Sequence, residues 1–206
     1  MAGTTGKGDF IMGLNAGTFL KRLGAVTTGY GFKKAVPVHL NECHKYDDGA
    51  LLTTTVTAAG YDMLDTGSKQ RVIFVDDDET SMFGFNFSVP EDYDESIDKL
   101  RIRALASMDG GTTDTVYLDA EIYRKRAGAV ATADLDPTID ATRIPAAIAS
   151  AAWSEVNADG NDLQGGDQLT VVLKTAAHTT DGIIVYGIEV VYAADLVYFD
   201  VDDRAI

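Results

Sequence analysis

His39, Cys43 and His44 come nearest in this chain to a metal-ligand cluster. A zinc site needs three or four N, S or O ligands converging on one point. His39 and Cys43 would share one face of a helix, but Pro37 and its neighbours oppose a helix there. Cys43 is the sole cysteine, and His178 lies far along the chain. The triplet therefore reads as ordinary surface or interface side chains, and no metal or cofactor is expected. Cys43 beside His44 is adjacency in sequence, whereas a catalytic dyad needs pairing in space.

The remaining polar clusters carry no clearer chemistry. Asn157-Ala158-Asp159-Gly160-Asn161-Asp162 is similar to a calcium loop. It departs from the EF-hand pattern, with Asp162 at the sixth position and Gln168 at the twelfth. A hairpin loop built of residues that tolerate tight turns is the favoured reading. Asp76, Asp77, Asp78 and Glu79 repel one another and read as a solvated turn, as do Asp200, Asp202 and Asp203. No G-x-S-x-G elbow occurs. Gly3-Thr4-Thr5-Gly6-Lys7 lacks the spacing and preceding strand of a phosphate loop. With 32 acidic residues many carboxylate pairs exist, and their separation is set only in three dimensions. Tyr117, Tyr123 and Trp153 would suit either a sugar platform or a subunit interface, where Tyr and Trp are enriched. Trp153 by itself reads as core. No catalytic residue is assigned, and the chain is not expected to be an enzyme.

The elements that would hold these residues are strands. Phe83, Phe85, Phe87 and Val89 alternate with Gly84, Asn86 and Ser88, which is the period of a half-buried strand. Leu100, Ile102 and Ala104 alternate with Arg101 and Arg103. Val116, Leu118, Ala120 and Ile122 alternate with Tyr117, Asp119, Glu121 and Tyr123. Leu169, Val171 and Leu173 follow, and then Ile184, Tyr186, Ile188, Val190 and Tyr192 are placed on one face. Residues 71–75 form a further strand. Val36-Pro37-Val38-His39-Leu40 reads as an edge strand, since Pro cannot donate to a central ladder. Residues 127–150 are Ala-rich and read as a long connection, with a short helix near residues 146–152. Eight to ten strands with one wet face predict an all-β, antiparallel sandwich or barrel over residues 36–206.

Residues 1–35 differ from the rest. They are Gly-rich and carry Lys7, Lys21, Arg22, Lys33 and Lys34 against Asp9, a net +4, while the remainder of the chain carries −19. They read as an extended arm that needs a partner to fix it. The overall net charge of −15 argues against nucleic acid and anionic membrane as partners. The apolar stretch at residues 10–14 is too short for a signal peptide, and no run approaches the roughly 20 apolar residues of a membrane span. A single free thiol fits a reducing cytosol.

Gly166-Asp167-Gln168-Leu169-Thr170-Val171-Val172-Leu173, the stretch from His178 to Val190, and Phe85-Asn86-Phe87-Ser88-Val89-Pro90-Glu91-Asp92-Tyr93-Asp94 carry a resemblance. They resemble strands of the single jelly-roll structural proteins of tailed bacteriophages, the head decoration and minor capsid proteins. The resemblance implies a jelly roll that is synthesised in the host cytoplasm and located on the capsid surface of the virion. Its implied partners are a major capsid protein and copies of itself, often as homotrimers, with no catalytic residue. The arm would then supply the contacts, with Phe10, Ile11, Leu14, Phe19 and Leu20 burying apolar surface and Lys21, Arg22, Lys33 and Lys34 meeting acidic groups. The length of the 127–150 insertion departs from that pattern. The alternative is a receptor- or carbohydrate-binding jelly-roll module, which should expose aromatic side chains around a groove.

Overall fold

The computed structural model describes residues 32–45, 49–52, 59–63, 70–76, 81–97, 100–110, 116–135, 142–158, 162–175, 178 and 181–194. These hold nine strands: β1 (Phe32–Val38), β2 (Ala59–Met63), β3 (Arg71–Val75), β4 (Ser81–Ser88), β5 (Leu100–Met108), β6 (Leu118–Lys125), β7 (Ala152–Asn157), β8 (Gln168–Thr175) and β9 (Ile183–Ala194). One sheet has the order β2-β3-β9-β5-β7, with β1 also paired to β9, and the other has the order β4-β8-β6. Every strand pairing is antiparallel. From β3 to β9 each successive strand belongs to the other sheet. That wrapping makes the fold an antiparallel jelly-roll β-sandwich.

The period-2 patterns place the core. Phe83, Phe85, Leu100, Ile102, Leu118, Ile122, Leu169 and Leu173 are buried between the sheets, with Phe87 packed at the margin. Burying alternate residues on both inner faces is what a sandwich requires, because each strand then presents its other side chains to water. β1 contains Pro37 and pairs with β9 alone among the described strands, as an edge position allows. It begins at Phe32, so Lys33 and Lys34 stand inside the sandwich rather than in an arm ahead of it.

Three local departures from the expected pattern have physical causes. In β9, Ile188, Val190 and Tyr192 face the core as expected, but Ile183 and Val185 replace Ile184 and Tyr186 there. The pairing with β5 steps from Leu105↔Gly187 to Ala106↔Val185, so Tyr186 is an extra residue on β9. A bulge of this kind moves every later side chain to the opposite face. The Tyr186 hydroxyl lies 3.0 Å from Ser107 Oγ, a hydrogen bond that serves the buried serine.

The Ala-rich connection is the second departure. Thr132 and Leu135 donate backbone hydrogen bonds to Arg124 and Ile122, and Ile144 and Leu118 continue the pairing as Ile144→Val116 and Leu118→Thr142. Residues 132–135 and 142–144 thus run beside β6 as an irregular border to the smaller sheet. Asp134 and Thr132 side chains accept the β6 amides of Ile122 and Arg124, at 2.8 and 2.9 Å, where a regular strand would use carbonyls. Third, the helix expected near residues 146–152 is only a 3-10 turn at Ile148–Ser150, followed directly by β7.

Phe85 lies fully buried on β4 between the sheets. Phe85→Ala should cost about 3–5 kcal/mol, the range for deleting a buried aromatic ring. Urea denaturation followed by circular dichroism measures it, and a loss under about 1 kcal/mol would contradict the placement.

Candidate functional site

The metal and nucleophile candidates do not meet. His39 is exposed, beside a 3-10 turn at Leu40–Glu42. Cys43 is fully buried in the core. His44 exchanges backbone hydrogen bonds with Gly84 on β4, and its ring lies over that glycine, where a Cβ would come within 2.8 Å of Nε2. His178 is buried and its Nδ1 lies 3.0 Å from the Asp181 carbonyl. Among the described residues no three His, Cys, Asp or Glu side chains converge. Burial, aided by the Glu42 charge, pushes the Cys43 thiol up to about 12, which leaves it protonated and inert as a nucleophile.

The loop that is similar to a calcium site is held by arginine. The Asp167 carboxylate takes two hydrogen bonds from Arg126, both 2.7 Å, and one from the Gln164 amide at 2.9 Å. The Asp162 carbonyl accepts from Arg126 at 2.7 Å and from Arg124 at 3.0 Å. Asp162 itself adopts a left-handed conformation, φ 51°, which Asp tolerates better than most residues. Burial would raise the Asp167 carboxyl, but the Arg126 and Gln164 hydrogen bonds outweigh it and hold it below the usual carboxylate range. Asp159, Gly160 and Asn161 of that loop lie outside the described residues. Asp77, Asp78, Glu79, Asp200, Asp202 and Asp203 lie outside the described residues.

The aromatic candidates separate onto two faces. Tyr123 is exposed on the outer side of the smaller sheet, in register with Thr170, and its hydroxyl donates to Glu121. Glu121 also accepts from Lys174 at 2.7 Å, and these bonds keep its carboxyl below the ordinary value. Tyr117 stands at a bridge to Arg143. Trp153 is not core: it is 37% exposed on β7, at the margin of the larger sheet. The three do not form one platform.

The outer face of the larger sheet is where charge, aromatic surface and shape coincide. Register places its side chains in rows. Ala35, Val191 and Arg101 form one row across β1, β9 and β5. The next row is Pro37, Glu189, Arg103 and Glu155, and the next is Gly187, Leu105 and Trp153. Arg103 donates to Glu189 Oε2 at 3.0 Å from Nε and 2.5 Å from Nη2, while its guanidinium lies 4.5 Å from the Trp153 ring centre. Arg101 Nη1 donates to Glu155 at 3.1 Å. A sheet floor of short side chains, Ala35, Val191 and Ala193, lies among these long ones and leaves a cleft of about 250 Å³. Lys33, Lys34, Arg101, Arg103, Glu155 and Ile97 line it.

Beneath the cleft Lys34 and the Tyr192 hydroxyl both bond Asp92, Tyr192 at 3.0 Å. Burial would lift the Asp92 carboxyl, but these two donors hold it below its ordinary value, while burial and the Asp92 charge push Tyr192 up to about 12. Lys33 is exposed and has no ion-pair partner among the described residues. Of the contact residues expected for the arm, Lys33 and Lys34 therefore stand at this cleft. Phe10, Ile11, Leu14, Phe19, Leu20, Lys21 and Arg22 lie outside the described residues. Alternation with core residues marks Arg101 and Arg103 as outward, but nothing in the sequence shows which strands neighbour theirs or brings Glu155 to them.

Two outcomes follow from these environments. Asp167→Ala should destabilise the fold by about 2–3 kcal/mol, the weight of hydrogen bonds to a charged group. Because the Asp167 carboxyl is depressed in the folded state, its contribution is complete above the ordinary carboxylate range and fades as pH falls through the folded value. Unfolding of wild type and Arg126→Met, followed from pH 7 downward, should show a gap that narrows in acid; a gap that widens would refute the assignment. Second, Cys43 should resist a thiol-reactive maleimide in the native protein and label promptly in denaturant, and rapid native labelling would contradict its burial.

No family model matches the chain, and no curated protein does. Solved structures do. The "xylan-binding module CBM15" aligns at 9% identity over 80% of this chain and 99% of its own, with a TM-score of 0.48. The CBM22-1 xylan-binding domain of Paenibacillus barcinonensis Xyn10C aligns at 11% identity over 82% of this chain and 99% of its own, with a TM-score of 0.42. TmCBM61, solved with beta-1,4-galactotriose, aligns at 10% identity over 80% of this chain and 90% of its own, with a TM-score of 0.36.

Proposed function

We propose that this chain is a non-catalytic carbohydrate-binding module whose site is the outer face of the larger sheet, at Trp153, Arg103 and the adjoining cleft. The observation that carries the reading is the row structure of that face. An exposed indole stands beside a Glu189–Arg103–Glu155 row, which borders a floor of short side chains. Sugars offer an apolar C–H face and pairs of neighbouring hydroxyls. An exposed aromatic ring suits the first, and planar guanidinium and carboxylate groups suit the second. Arg103 packs on the Trp153 ring and so fixes both groups before a ligand arrives, which reduces the ordering entropy of binding.

The same geometry supports binding over catalysis. Glu155 and Glu189 are each engaged by an arginine, and Cys43 is sealed in the core. Of the residues expected to attach the chain to a capsid lattice, Lys33 and Lys34 line this cleft and the others lie outside the described residues, whereas the cleft is built wholly from described residues.

Trp153 is the sole tryptophan, so emission excited selectively in the tryptophan band, above the absorption of the nine tyrosines, reports on this face. Titration of the full chain with soluble xylan, galactan and mixed-linkage glucan should change that emission saturably for at least one polysaccharide. Trp153→Ala should abolish retention of the protein in affinity electrophoresis on the same polysaccharide while circular dichroism stays unchanged. No emission change with any of them, or undiminished retention of the variant, would overturn the reading.

A further inference from the structure

We infer that the cleft beside Arg103 selects sugars bearing a carboxylate, so that the glycan recognised is uronate-containing. This rests on the carbohydrate reading above and adds the class of ligand. The chain carries a net charge of −15, yet Lys33, Lys34, Arg101 and Arg103 wall a cleft to which a single acid, Glu155, contributes. Four cations around a cavity of about 250 Å³ is the reverse of what the composition would place there by chance.

The cations differ in how fully they are engaged. Lys34 is held by Asp92, and Arg103 uses Nε and Nη2 toward Glu189. Arg101 gives Nη1 to Glu155, which leaves donors on a planar fork that matches a carboxylate. Lys33, in register with Ala193, is exposed and has no ion-pair partner among the described residues. The short side chains of Ala35, Val191 and Ala193 form the floor between Lys33 and Arg101. A sugar ring lying on that floor would bring an equatorial carboxylate toward both. Glu155, Glu189 and Asp92 each pair with one of these cations, Arg101, Arg103 and Lys34 respectively, so the cleft's positive excess among the described residues is Lys33, to which Arg101 adds its remaining donors.

The test compares three ligands in Trp153 fluorescence titrations of the full chain: a neutral xylo-oligosaccharide, the same oligosaccharide carrying one glucuronic acid, and the methyl ester of that acid. The ester keeps the sugar and removes the charge. The acid should bind about tenfold more tightly than its ester at low ionic strength, as two or three partly exposed charge contacts allow. The ratio should collapse in about 1 M salt, where the Debye length is about 3 Å. In Lys33→Gln combined with Arg101→Gln the acid-to-ester ratio should fall toward one. Equal binding of acid and ester by the wild type would overturn this inference and leave the carbohydrate reading intact. Failure of all three to bind, with the polysaccharide titrations also silent, would remove both.

Discussion

The larger sheet depends on the pairing of β9. This one strand holds β1 and β3 along one side and β5 along the other, and β7 and β2 reach it only through those neighbours. Its length allows this: Val38 to Phe32 pair with Ile188 to Ala194, while Val75 to Ile73 pair with Ile183 to Val185. Tyr186 and Gly187 lie between the two partners, and the bulge sits there. Register in such a strand is not a detail. A slip of one residue would carry Glu189 into the core and Val190 to the solvent, so burial of Ile188, Val190 and Tyr192 pins the outer face. The cleft floor and the Glu189–Arg103 bond are consequences of that pinning.

The smaller sheet is held at its open end by a different means. β8 is entered from a loop whose Asp167 is buried and whose charge is met by Arg126, just beyond β6. The Asp167 backbone also joins in, accepting from the amide of Val89 at 2.8 Å where β4 ends. One residue thus ties the ends of β4, β6 and β8. Buried pairs of this kind add little net stability when compared with apolar packing, and their value lies in the geometry they specify. Here the geometry is the start of β8, and through it the register of Leu169, Val171 and Leu173 against Phe83, Phe85 and Phe87.

Much of this was legible because alternation reports burial directly. The inward sets on β4, β5, β6 and β8 stand in the core as their alternation places them, since the irregularities in pairing lie outside those sets, before Phe83 on β4 and after Leu105 on β5. The pattern misleads in β9 ahead of Gly187, at Ile184 and Tyr186, because a bulge leaves no mark in an apolar run: Ile183, Ile184 and Val185 fit either face. Residues 132–135 look like a bare connection because their pairing to β6 uses the Asp134 and Thr132 side chains, which carry no strand period. Trp153 was read as core on its size. Its place at a sheet margin follows from strand order, and strand order is a long-range property that no local window contains. For the same reason Arg101, Arg103, Lys33 and Glu155 gave no sign of sharing a cleft, being drawn from β5, β1 and β7.

The contrast between the whole chain and this face bears on how recognition would work. A net charge of −15 repels an anionic glycan at a distance, but at physiological ionic strength that repulsion is screened beyond about 8 Å. Inside the cleft the screening is weaker, because the floor is protein and the walls are cations. An anionic ligand would therefore gain nothing in its rate of encounter and would gain its selectivity only after contact, from matched charge and a fixed fork. The engaged acids matter to this. Glu189 and Glu155 hold the two arginines in place through bonds that alternate across β9, β5 and β7, so the donors that remain are already aimed. The acidic majority of the chain discourages indiscriminate binding of polyanions, and the two arginines at the cleft could be specific because Glu155 and Glu189 fix their orientation.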